Sequence, residues 1–166
     1  MGNLKKGLFK ATLTLLLFCG STGMAWAEGL SGSGTKSDPY LISSVDDWNY
    51  FAESVNDGTL YLYKYVKLTT DLTGITTMVG AQNGYFCGYF DGDGHTIDFN
   101  LTGICEYTAP LRAVYDAVIY NLNTTGTVDG KEFMRATGLV GRAMGDVSII
   151  SCRSSVTIKS SIENVS

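Results

Sequence analysis

Apolar and polar residues change period once along the chain. Between residues 44 and 56, Val45, Trp48, Phe51, Ala52 and Val55 recur at three- and four-residue spacing, which puts them on one face of a helix. Ser44 stands at the N-cap position, Asp47 stands where the acidic partner of a capping box belongs, and Asn56 to Gly58 supply the stop. After that the period falls to two. In "LYLYKYVKLTTDL", Leu62, Val66 and Leu68 share one face with Lys64, and Tyr61, Tyr63 and Tyr65 share the other. In "HTIDFNL", Ile97, Phe99 and Leu101 point one way. Short alternating runs separated by Gly, Asn, Asp and Thr predict an all-β class.

The strands also repeat. "VIYNLNTTGTV" (118–128) lies over "SIISCRSSVTI" (148–158) at an offset of 30, which matches Ile119 with Ile149 and Val128 with Ile158. "APLRAV" (109–114) parallels "TGLVGR" (137–142), with Leu111 over Leu139. A third, weaker copy starts at "GHTIDFNL", with Ile97 corresponding to Ile119. One unit of about 22–30 residues cannot bury its own apolar face, whereas stacked units can. The pattern predicts a parallel β-solenoid with aliphatic ladders, in which Ile119, Ile149, Leu111 and Leu139 face inward.

The first 27 residues read differently. Lys5, Lys6 and Lys10 precede the apolar run "LTLLLF", and Ala25 to Ala27 form an A-x-A end. These are the marks of a secretory signal peptide cleaved after Ala27. The run falls short of the ~20 apolar residues that a spanning helix needs. Lipoprotein processing at Cys19 is the rival reading, disfavoured because Phe18 occupies a position that calls for a small residue. Residues 28–37 are Gly/Ser-rich and read as a flexible lead-in, and 38–166 as the repeat domain. The leader takes three lysines and no acid from a chain of net charge −4, which leaves −7. An acidic mature chain with no basic cluster argues against nucleic acid as a partner. Cys87, Cys105 and Cys152 remain after cleavage; they allow at most one disulfide and match no zinc spacing.

"DGDGH" (91–95) is the main candidate for chemistry. As a calcium loop it fails after two ligands, because His95 and Thr102 stand where further oxygen donors are required. As a glycosidase pair, Asp91 and Asp93 are too close in a solvated turn. The turn reading uses every residue: Gly92 and Gly94 supply positive φ, and the aspartates bond back to turn amides. No metal, cofactor or catalytic group is expected. Tyr61, Tyr63 and Tyr65 form the one candidate ligand site, an aromatic strip for stacking a glycan if the rings point outward; the opposing expectation packs them under the helix.

The blocks "GSGTKSDPYLISSVDDWNYFAESVNDG", "YVKLTTDLTG", "FCGYFDGDGHTIDFNL", "VIYNLNTTGTV" and "TGLVGRAMGDVSIISC" follow one another in order. This arrangement resembles bacterial surface proteins that carry the GLUG motif. "GLVG" at 138–141 matches the motif core, and "APLRAV" is a copy lacking its glycines. The resemblance implies a right-handed parallel β-helix from an exported, adhesin-like protein. Some proteins with such repeats are described as immunoglobulin-A peptidases, with proteolysis in other domains, and no HExxH or GxSxG occurs in this chain. The expected function is therefore a non-catalytic exported module for adhesion or scaffolding. The alternatives are a carbohydrate-binding or glycan-active β-helix module, or the repeat region of a larger secreted peptidase. The partner is expected to be a host or cell-surface glycan or protein. The helix is predicted to cap the N-terminal rung. Residues 38–166 are also read as the possible N-terminal part of a longer protein, self-associating through the last rung.

Overall fold

The computed structural model describes residues 29–103, 106–131 and 135–159. The leader, Cys19 and Cys105 lie outside the described residues. The chain winds through about four turns of a β-solenoid, and among the described residues every pairing between two strands is parallel. One face is a five-stranded sheet ordered β1 (Tyr40–Ile42), β2 (Tyr65–Leu68), β4 (Tyr89–Asp91), β8 (Val118–Tyr120) and β12 (Ser148–Ile150). The next face is β3 (Leu72–Ile75), β5 (Thr96–Thr102), β9 (Asn123–Asp129) and β13 (Arg153–Lys159). Two short ladders close the coil: β6 (Tyr107–Thr108) with β10 (Arg135–Ala136), and β7 (Leu111–Tyr115) with β11 (Val140–Met144).

The expected ladders exist. Val66, Phe90, Ile119 and Ile149 form one in-register column, and Leu101, Val128 and Ile158 form another. The offset-30 alignment gives the true register. Two other alignments require correction. Leu111 pairs with Val140, not Leu139, because the spacing between turns grows at the corners, from Tyr107/Arg135 through Leu111/Val140 to Val118/Ser148. Ile97 pairs with Thr124, whereas the partner of Ile119 is Phe90. Ile97 lies in β5 of the four-stranded sheet and Ile119 in β8 of the five-stranded sheet, so the two share no column; both faces carry the same apolar alternation, which does not tell them apart. Nor is Ile149 buried. It sits in the inward column but is 48% exposed, because no described strand lies over it.

Helix α1 spans Val45–Asn56. The Ser44 hydroxyl accepts from Asp47 N at 3.1 Å, and the Asp47 carboxylate accepts from Ser43 N and Ser43 Oγ. Trp48, Phe51, Ala52 and Val55 are fully buried, whereas Val45, in the first turn, stays 39% exposed. Trp48 meets Phe51, Phe90 and Phe99 edge to face, with ring centroids 5.5–6.2 Å apart. Its indole N–H donates to Thr77 O at 3.0 Å, and Asn56 Nδ2 donates to Met78 O. The helix thus seals the N-terminal end with an aromatic plug tied to the segment after β3. The Gly/Ser-rich lead-in is tied down as well: Ser33 N donates to Asp38 Oδ2, and residue 31 bridges Leu41. A Cβ on Gly32 would lie 2.0 Å from Pro39 O, so this glycine serves close approach of backbone.

Candidate functional site

The alternating strand expected over 60–68 begins only at Tyr65. Tyr61 and Tyr63 adopt left-handed backbone, φ 54° and 58°, so the three tyrosines do not share a face. Tyr61 turns inward beneath the helix against Phe51, its hydroxyl 2.8 Å from Ser54 Oγ, and burial raises its phenol pKa. Tyr63 projects into solvent at 75% exposure. Tyr65 alone joins the sheet. A left-handed conformation is uncommon for bulky residues, and two in three positions break the alternation that periodicity predicts.

Tyr65 instead builds an aromatic surface across turns. On the outer face of the five-stranded sheet, Tyr65 aligns with Tyr89, and Lys67 aligns with Asp91 and then Tyr120. The Tyr65 and Tyr89 rings stack at 4.4 Å with an 8° interplanar angle. Partial burial and then the Asp91 carboxylate push the Tyr120 phenol upward. Lys36 and Pro39 wall off a groove of about 540 Å³ over Tyr65, Lys67, Asp91 and Tyr120. It offers phenolic rings, an ammonium and a carboxylate to one ligand. Tyr89 and Tyr120 escape alternation within one strand, because their row runs across turns and not along the chain. Aligning Tyr65 with Tyr89 at the turn spacing would have found the stack.

The DGDGH segment is the corner beside this groove. Asp91 Oδ1 accepts from Asp93 N at 2.9 Å and from Asn121 Nδ2 at 3.2 Å on the turn above. Asp93 and Gly94 carry the positive φ, 50° and 81°. Gly92, expected to do so, serves packing: a Cβ there would sit 2.5 Å from Asn121 O. Asp93 pairs with Lys67 at 2.9 Å. His95 Nδ1 lies 3.1 Å from Asp71 Oδ1, which also accepts from Thr96 N. That amide, then His95, holds the Asp71 carboxyl below the usual carboxylate range. Among the described residues no three His, Cys, Asp or Glu side chains cluster to hold a metal.

Cys87 and Cys152 are free, and burial, then Asp116, push the Cys87 thiol upward. The GLVG block crosses from β10 to β11. Gly138 O accepts from buried Thr124 Oγ1 at 2.7 Å and from Ser154 Oγ at 3.2 Å. A Cβ on Gly138 would lie 2.1 Å from Ser154 Oγ of the same turn, so glycine here leaves room for that hydroxyl to reach the Gly138 carbonyl.

No family model, curated protein or solved structure matches this chain.

Proposed function

We propose that the chain is an exported, non-catalytic β-solenoid module of a bacterial surface or secreted protein, acting in adhesion or as a scaffold. The observation that carries the reading is the five-stranded outer face, which presents side chains in register from successive turns. Such a face suits an extended partner. The basic-apolar-AxA leader and the GLVG block support export and kinship with GLUG-motif surface proteins. Protease shaving of intact producing cells should release peptides of 38–159, and the purified protein should compete with those cells for their attachment surface. Recovery of the chain only from cytoplasm, uncleaved, would sink the proposal.

A carbohydrate-binding reading has one observation in its favour, the groove over Tyr65, Lys67, Asp91 and Tyr120. Aromatic faces and edges beside paired polar groups suit a sugar's mixed surface. Screening against immobilised glycans should then yield ligands whose binding falls about tenfold or more in Tyr65→Ala and Tyr120→Ala, one lost contact of ~1.4 kcal/mol each. Binding that both variants leave intact would place the site elsewhere.

A further inference from the structure

Five steps in the chain place Asn or Asp directly before Gly: Asp57–Gly58, Asn83–Gly84, Asp91–Gly92, Asp93–Gly94 and Asp129–Gly130. At such a step the backbone nitrogen of the glycine can attack the preceding side-chain carbonyl carbon, because no Cβ obstructs the ring closure. In four of the five the fold occupies that nitrogen. Gly58 N donates to Val55 O at 3.0 Å, and Gly92 N to Tyr120 O, Gly94 N to Asn121 O and Gly130 N to Lys159 O, each at 2.8 Å. Gly84 N donates to no acceptor among the described residues. This is also the one step whose side chain is an amide, and asparagine is a thermolabile residue.

Asn83 is exposed at a bend between β3 and β4, and its side chain bonds nothing among the described residues. The other described asparagines are held. Asn49 and Asn56 lie in the helix and bond Thr77 Oγ1 and Met78 O, Asn100 sits within β5, and Asn121 and Asn123 bond Asp91 and Gly94 O across turns. The bend itself is anchored on both sides. Val79 N donates to Pro110 O at 2.9 Å, Phe86 N donates to Ala113 O at 3.2 Å, and both side chains are fully buried. Gly84 presses on the last turn of the helix, where an added Cβ would lie 2.3 Å from Val55 O.

We propose that Asn83 is a self-modification site, which water converts to aspartate and isoaspartate in the folded protein. Gly84 N attacks Asn83 Cγ, its proton passes through solvent to the departing amide, and ammonia leaves a succinimide. Water then adds to one imide carbonyl and that carbon–nitrogen bond breaks. Opening at Cγ gives aspartate; opening at the main-chain carbonyl gives isoaspartate, whose backbone runs through the former side chain. One water is consumed and one ammonia released, with no oxidation or reduction. Isoaspartate adds a methylene to a backbone anchored at Val79 and Phe86, whereas aspartate leaves its length unchanged. The purified protein, held in warm, mildly alkaline buffer, should be mapped by peptide mass spectrometry that resolves the two acids. Both should accumulate at 83 while Asn100 stays intact and before isoaspartate appears at 57, 91, 93 or 129. Asn83→Gln, which closes a larger ring more slowly, should abolish the reaction at this position. Earlier conversion at any other of these positions, or an Asn83 that outlasts Asn100, would overturn the proposal. The separated isoaspartate species should unfold at lower urea concentration than fresh protein, and the Asn83→Asp variant should not. Equal midpoints for all three would overturn the strain assigned to the anchored bend.

Discussion

Trp48→Ala tests whether the helix is a structural plug. The indole is fully buried and contacts three aromatic rings drawn from the helix, β4 and β5. An aromatic side chain of this size buries ~150–250 Å², worth ~4–6 kcal/mol at ~25 cal/mol per Å². Alanine retains a little of that, while the cavity and the lost edge-to-face geometry act in the other direction. Loss of the N–H bond to Thr77 O adds about 1 kcal/mol. The expected destabilisation is ~4 kcal/mol, a large share of the ~5–15 kcal/mol typical of a domain. Urea unfolding followed by far-ultraviolet circular dichroism measures it. Trp48→Phe, which keeps the ring but not the donor, should lose only ~1–2 kcal/mol. A Trp48→Ala midpoint within ~1 kcal/mol of the parent, with unchanged slope, would show that the N-terminal turn holds without its aromatic plug.

Three further outcomes follow from the geometry. Ile119→Asp should cost several kcal/mol, because the carboxylate would be buried without a partner, whereas Ile149→Asp in the same column should change urea stability by no more than about 1 kcal/mol; equal losses would refute the open last turn. Gly126→Ala should be far more disruptive than Gly94→Ala in thermal melts, since both have positive φ but only at Gly126 would the Cβ strike backbone, Phe99 O at 2.1 Å. Burial works to raise the Asp47 pKa, but bonds from Ser43 and Ser44 outweigh it and hold the carboxyl low. Its stabilisation is therefore present above the unfolded value of about 3.9 and is lost as pH falls through the lower folded value. Asp47→Asn should thus be less stable than the parent at neutral pH and converge with it in acid; a pH-independent gap would remove the charge from the explanation.

Local pattern was enough to read the helix, its Ser44 cap, the stacking of turns and the offset-30 register. Each rests on residues close in sequence or repeated at one spacing. The DGDGH segment was legible as a turn for the same reason, since a short carboxylate bonding its own backbone needs no distant partner. What periodicity could not supply is where corners lengthen. One more residue at 137–139 than at 109–110 leaves the strand pattern intact while sliding the partner of Leu111 from Leu139 to Val140, and equal alternation on two faces hides that Ile97 and Ile119 belong to different sheets. Nor could alternation foresee left-handed backbone at Tyr61 and Tyr63, because it assumes extended residues throughout. The aromatic groove exists only once the register stacks Tyr65 on Tyr89 and sets Asp91 beside Tyr120, residues 24 to 29 positions apart joined by parallel pairing. Burial was decided last of all. Ile119 and Ile149 are the same residue in equivalent positions; a described turn lies over Ile119 and makes it core, whereas no described turn lies over Ile149, which is half exposed.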